Sequence, residues 1–331
     1  MNIRKSKNVT DLNMTNDDTS NMTQNITKSN KTNFNMTKNM TRVEPFLYLL
    51  PFFIGILIFT LYPVINVFLL SFKDDYNYLR NTYAGWNLEN YKTVLTDPKF
   101  AQSMINTVLY VVFVVPISTA LSILVAHFLN QKLKGSAIFQ TAFFMPMVTS
   151  ITAVGLIWRL MYNKQFGIIN FILSKFGIEK IGWVVDSNWS LVALIIFGIW
   201  NIMPFTIILL LSGLQNINEV YYTAAKVDGA KPIKIFFRIT VPLLSPTIFL
   251  VCIVNTISCF KVFSELYPLF NGKPGPYYNL YTVVYYIRYA MMEKREYGYA
   301  AATAVILFFC VMIFTLIQLA IKSGMKKRGL N

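Results

Sequence analysis

The side chains able to do chemistry are few. The chain carries one histidine, His127, at the end of an apolar run, and three cysteines, Cys252, Cys259 and Cys310, each inside an apolar stretch. One histidine supplies neither a His-based metal cluster nor a Ser-His-Asp triad. Cysteines so placed read as small buried hydrophobes and not as a disulfide framework. No Gly-x-x-x-x-Gly-Lys-Ser/Thr stretch occurs, so the chain has no P-loop with which to cradle ATP phosphates. These features predict a protein that is not an enzyme and binds neither a metal nor a cofactor of its own. What remains is a polar set within one apolar run. Asn255, Ser258, Lys261 and Glu265 fall within an arc of about 120° if each helical residue turns ~100°. Lys261 and Glu265 stand at i and i+4 and could neutralise each other.

The elements that must position these residues are apolar spans. Of 331 residues, 55% are hydrophobic and 14% charged, against roughly 25% charged in ordinary soluble domains. Six runs each approach the ~20 residues needed to cross ~30 Å of hydrocarbon: 46–72, 104–129, 137–162, 191–214, 243–269 and 300–321. Pro51, Pro63, Pro116, Pro146, Pro204 and Pro246 lie inside or beside them and predict kinks, which a membrane bundle tolerates where neighbours re-satisfy freed carbonyls. The expected fold is therefore all-α, with six transmembrane helices. The formal charge of +15 fits basic loops that meet anionic lipid, and no nucleic-acid-binding motif accompanies it. Polar groups inside spans are costly and are functional candidates by default. Trp200, Asn201 and Phe260 join the polar set, because ring faces beside polar groups suit a sugar-like ligand. A structural ion pair, and rings that only pack or touch lipid, stay open as readings. Arg159, at the end of the third run, is expected to snorkel to the interface.

Residues 1–45 form a low-complexity Asn/Thr/Ser/Lys segment in which Asn-Met-Thr recurs at Asn13, Asn21, Asn35 and Asn39. Disorder is expected there. Asn-x-Thr triplets at Asn8, Asn13, Asn21, Asn25, Asn30, Asn35 and Asn39 would be glycosylation acceptors in a secretory lumen, but the surrounding Lys and Arg mark a cytoplasmic tail. No apolar run precedes Pro45, so no cleaved signal peptide is expected. Outside the spans, 17 Lys/Arg fall on the side that holds both termini and 11 on the other. The positive-inside rule then places both termini in the cytoplasm, together with the 217–242 segment and the basic tail 323–331. The membrane-spanning body is 46–322.

The 217–242 segment is the polar insert between spans four and five. Val220, Ala224 and Val227 share one helical face, Gly229 can supply a left-handed terminator, and Pro232 can start a second helix. A helix, a turn and a helix lying at the membrane surface are predicted, with Pro242 and Pro246 turning the chain into span five.

Here the sequence resembles a family. Ala224-Ala225-x-x-Asp228-Gly229-Ala230 followed by Ile239-x-x-Pro242-x-x-x-Pro246 is similar to the "EAA" loop of membrane subunits of binding-protein-dependent ABC importers, most closely the sugar-permease group with maltose and glycerol-phosphate permease subunits. Colinear pieces extend over roughly 70–325: Asn90-Tyr91, Asp97-Pro98-x-Phe100, Asn106-Thr107, Val115-Pro116, Leu129-Asn130, Met145-Pro146, Trp158, Gly167, Asn170, Gly213-Leu214-Gln215 and Gly298-Tyr299-Ala300. The resemblance implies that Glu219, Thr223, Ala224, Ala225, Asp228, Gly229 and Ala230 belong to a coupling helix docked on a cytoplasmic ATPase subunit. It also implies a second permease subunit, two ATPases that bind the ATP, and an extracellular solute-binding protein. Thr223 stands where the family has the Glu of EAA, and Asn218 where it has Pro; Asp228 or Glu219 could replace the missing acid. The loop Asn271-Gly272-Lys273-Pro274-Gly275-Pro276 only partly resembles the family's Gly-Gly-Pro segment. Permeases for glycerol phosphate or a polyamine, and an ion-coupled secondary transporter, are the alternatives.

Overall fold

The computed structural model describes residues 44–131 and 136–327. The Asn/Thr-rich tail through residue 43 with its seven triplets, Lys132 and Lys134, and the end of the basic tail from Arg328 lie outside the described residues.

Two compact units are distinguished, one through Ile65 and one from Asn66 onward. In the first, helix α1 (Glu44–Ile56) passes into a π-helical turn, Leu57–Leu61. Pro63 accounts for the turn, since it has no N–H and its ring crowds the carbonyl four residues back. The Tyr62 amide bonds five residues back, to Leu57 O, and absorbs the misfit. Helix α2 (Tyr62–Ser71) then completes the first span.

In the second unit, strands β1 (Lys73–Asp74) and β2 (Gly85–Trp86) pair antiparallel, Lys73 opposite Trp86. Short α3 (Glu89–Thr96) leads to α4 (Pro98–Asn130), started by Asp97, whose carboxylate caps the Lys99 amide. Next come α5 (Ser136–Val148), α6 (Ile151–Met161), α7 (Ile168–Lys175) and α8 (Ser187–Gln215). Among the described residues, five helical stretches are long and apolar enough to cross a membrane: Tyr48–Ser71, Pro98–Asn130, Ser187–Gln215, Pro232–Phe260 and Tyr297–Gly324. The third expected span is broken: its halves, Ile138–Val148 and Ile151–Met161, are bent by 105°, and make a sixth crossing only if the pair counts as one. The break follows Pro146, where Ser150 leaves helical geometry at ψ 128° and the Thr149 hydroxyl turns back to Met145 O at 3.0 Å.

Beyond α8, the 217–242 segment holds α9 (Glu219–Val227) and α10 (Pro232–Ile235), then a π turn over Phe236–Thr240. α10, the π turn and α11 (Val241–Phe260) run as one 29-residue helical stretch, so the expected surface helix and span five are continuous and not separated by a break at Pro242. Pro242 again follows a π turn, with the Val241 amide bonded to Phe236 O. The stretch ends at Phe260, short of the expected 269. Beyond it, α12 (Leu266–Leu269), a 3₁₀ turn at Pro276–Tyr278, α13 (Val283–Tyr289) and a π turn at Ala290–Lys294 form a folded connection before α14 (Tyr297–Lys327).

Two apolar clusters line the bundle. One gathers Tyr162, Phe197, Phe260, Leu266, Leu269 and Tyr286; the other gathers Ala126, Ile207, Leu210, Leu214, Leu244 and Val251 towards the 217–242 end. α4 and α8 approach closely at Gly198, where an added Cβ would lie 2.1 Å from the Tyr110 hydroxyl oxygen. Small residues let membrane helices come this near. Gly198→Leu is expected to destabilise the bundle by about 1–3 kcal/mol through overpacking, read as a lower midpoint of thermal unfolding in detergent.

Candidate docking helix and candidate path residues

α9 is a nine-residue helix closed at both ends by local chemistry. Asn218 caps it, accepting from the Val220 amide at 3.0 Å. At the other end Gly229 takes φ +70°, and the amides of Gly229 and Ala230 return to Lys226 O and Ala225 O at 3.0 and 2.9 Å. Two such bonds around a left-handed residue satisfy carbonyls that a helix end otherwise leaves open. The predicted role of Gly229 as terminator, and of Pro232 as first residue of the next helix, both hold.

The apolar stripe of α9 faces outward. Val220 is 66% exposed and Val227 83%. Thr223 and Ala224 are exposed between them, while Ala225 on the other side is buried. Asn218, Val220, Thr223, Ala224, Val227 and Asp228 line one shallow concavity. Thr223, the departure from the family's acid, turns its hydroxyl back to Glu219 O at 3.1 Å. Asp228 is exposed, and Ala230 half-buried behind the turn.

The predicted path residues do not share one face. Asn255 is 1% exposed, its amide donating to Thr206 on α8 at 2.9 Å, whereas Ser258 is exposed. Phe260 is buried against the Phe314 ring, 5.0 Å between centroids. Lys261 is the residue after α11, and Glu265 lies in the following turn, accepting the Phe263 amide at 3.2 Å. No ion pair joins Lys261 and Glu265 among the described residues, because the helix that would set them one turn apart stops at Phe260. Asn201 is half-buried on α8. Its neighbour Trp200 packs with Trp158 and Phe197 and lines an apolar cavity of about 300 Å³ with Phe139, Phe143, Pro146 and Met203, beside the break in the third span. Arg159, expected to snorkel, hydrogen-bonds the Asn271 side chain in the connection beyond α12. Among the described residues no group of three or more His, Cys, Asp or Glu could hold a metal ion.

At the opposite end from α9, amides and hydroxyls clamp the 261–296 connection. The Asn106 amide donates to Asn279 O and Tyr281 O, both at 2.9 Å. The Thr107 hydroxyl accepts the Val283 amide at 3.0 Å. Asn279 donates to Ser187 O and Ser190 Oγ on α8 at 2.9 and 3.0 Å. Tyr286 and Tyr299 both donate to Asp97 Oδ2, at 2.5 and 3.0 Å. Partial burial would raise the Asp97 pKa, but these bonds, the Lys99 amide and nearby Lys294 outweigh it and hold the carboxyl below its ordinary value. A depressed folded pKa contributes stability that is present above the unfolded value and lost as pH falls through the folded one. Thermal stability is therefore expected to drop on acidification below about pH 4. Asp97→Asn should flatten that limb and lower stability at neutral pH, in melts taken across the acid range.

Comparison with known proteins decides what this bundle is. The family described as binding-protein-dependent transport system inner membrane component matches residues 96–327, which holds α4 through α14. The chain belongs to that family. This inner membrane component is a multi-pass membrane protein, 33% identical over 87% of its length to the arabinooligosaccharides transport system permease protein AraP of Bacillus subtilis, covering 91% of that relative. It is 31% identical to the trehalose/maltose transport system permease protein MalF of Thermococcus litoralis, over 83% of this chain and 92% of that one. Its fold matches a chain from the crystal structure of a bacterial ABC transporter involved in import of the acidic polysaccharide alginate, with TM-score 0.74 and 22% identity over 87% of this chain and 98% of that one.

Asn90, Asp97, Asn106, Thr107 and Asn170 carried no role in the sequence reading beyond their place in the family pattern. The structure makes each a loop holder: Asn170, for example, donates to Ile181 O at 2.8 Å and accepts from the Trp183 ring nitrogen at 3.1 Å. The available signal was polar residues between apolar runs (Asn90, Asp97, Asn170) or at the start of one (Asn106, Thr107).

Proposed function

We propose that the chain is the permease subunit of an ATP-driven importer for a sugar or sugar-like solute, coupled to its ATPase through α9. One observation carries the coupling: a helix capped at both ends presents an apolar face, Val220, Thr223, Ala224 and Val227, to the outside. That face stands between two spans, α8 and the Pro232–Phe260 stretch, so a push on it reaches both. The Lys/Arg asymmetry supports a cytoplasmic position for α9 and for both termini. With no P-loop in the sequence, ATP acts on a partner. Two ATPase subunits, a second related permease subunit and an extracellular solute-binding protein complete the assembly. Thr223 in place of an acid makes the docking face more apolar, leaving Asp228 at its edge as the polar contact.

The sugar assignment rests on relatives whose names specify arabinooligosaccharides and trehalose/maltose. Asn201, Asn255, Ser258, Phe260, Lys261 and Glu265 remain the path candidates. Lys261 is the one cation in this set, which disfavours an anionic solute such as glycerol phosphate. Cells expressing the full set of subunits are expected to take up labelled neutral oligosaccharides. Uptake of glycerol phosphate or a polyamine in their place would overturn the substrate class.

A further inference from the structure

The strands, their connecting turn and α3, residues 73–96, expose more apolar and aromatic surface than a solvated loop needs. We propose that this segment is an interfacial collar, lying in the headgroup layer of the leaflet opposite the 217–242 side and held there by lipid contact.

Its height is fixed by hydrogen bonds to the end of the first span. Asn90 on α3 donates to Ser71 O and Lys73 O at 3.1 and 2.9 Å, and the Tyr91 and Ser71 hydroxyls meet at 2.6 Å. α3 therefore begins level with the last turn of a helix that crosses the membrane. The hairpin also lies down. Its root presses on the first turn of α14, where a Cβ on Gly298 would sit 2.6 Å from Lys73 O. Its turn reaches the same helix, with the Tyr78 and Tyr297 rings 5.3 Å apart. A hairpin touching one helix start at both root and turn cannot project far into water.

Its chemistry divides by face. Leu88, the residue that precedes α3, and Leu95, in its last turn, are 63% and 64% exposed. Glu89 and Thr93 line a separate polar cleft with Asp74, Asp75 and Glu296, on a face roughly 130° away at ~100° per residue. The hairpin adds exposed Leu79 and Trp86. The Lys73 ammonium lies 5.3, 4.9 and 5.6 Å from the Tyr76, Tyr83 and Trp86 ring centres. Amphipathic rings beside a cation are the composition of the membrane–water boundary. Continuity with a span end selects lipid as the occupant of the leucine face.

The test uses the full chain with its co-purifying subunits, reconstituted in phosphatidylcholine liposomes. A polarity-sensitive fluorophore is placed at L88C, at L95C and, as a reference at an exposed loop residue, at K273C; the unsubstituted chain gives the background from Cys252, Cys259 and Cys310. Lipid carrying a doxyl group high on the acyl chain is expected to quench the labels at 88 and 95 several-fold more than the label at 273, and aqueous iodide to quench in the reverse order. Iodide quenching at 88 and 95 equal to that at 273, with no lipid quenching, would overturn the proposal. So would protection from both quenchers that vanishes once the solute-binding protein is washed away, which would make this a protein-docking face. Neither outcome depends on transport.

Discussion

Val227→Asp is expected to abolish most solute uptake while the chain stays folded in the membrane. Val227 is among the most exposed apolar side chains of α9, so a carboxylate there costs the isolated subunit little. If the face is covered by an ATPase subunit, the same carboxylate is buried without a partner. The cost is then about 3 kcal/mol, or roughly a hundredfold in affinity. The ATPase subunit should no longer co-purify, and uptake should fall with it. Gly229→Val reaches the same end by geometry. A β-branched residue at φ +70° carries strain of about 1–3 kcal/mol, and relaxing it unwinds the turn that aims α9. Normal co-purification and uptake in Val227→Asp would mean that the outward apolar face has no partner.

Asn106→Leu is the second large effect, and it falls on stability. Its amide serves the carbonyls of Asn279 and Tyr281 from 173 and 175 residues away in sequence. Each buried carbonyl left without a donor costs about 1–3 kcal/mol, so the 261–296 connection is expected to come loose from α4 and α8. Limited proteolysis should then cut within 271–278, where Asn271, Tyr277 and Tyr278 already hold positive φ and the Tyr277 ring is exposed. Thermal unfolding should move down with it. Cleavage resistance equal to the parent chain would assign the clamp to other residues, such as Thr107 or Asn279.

Apolar runs and their prolines made most of the bundle legible, because a bilayer demands length and hydrophobicity that sequence displays directly. The helix terminator at Gly229 and the helix start at Pro232 were legible for a similar reason: each depends on one residue's backbone preference. Where helices stop inside apolar runs was not legible. The third span breaks after Pro146 although Pro116 and Pro204 stay within continuous helices, so a proline alone does not say which way it acts. The fifth stops at Phe260 although Val262, Leu266 and Leu269 continue the hydrophobic pattern, because those residues pack into the core from a folded connection. That stop dissolved the proposed Lys261–Glu265 pair. The partner of Arg159 was hidden for a related reason, since Asn271 lies 112 residues away. The same long-range pairing hid the clamp formed by Asn106, Thr107 and Asn279.

In the proposed cycle a push on α9 by an ATP-hydrolysing partner drives the solute across this bundle. The most direct test is uptake into liposomes holding the full assembly, loaded with ATP, supplied with the solute-binding protein and poised without any ion gradient. Solute accumulation is expected to track ATP hydrolysis and to disappear, together with the solute-stimulated part of that hydrolysis, in Val227→Asp. Accumulation that survives removal of the ATPase subunits and collapses when an ion gradient is dissipated would contradict it.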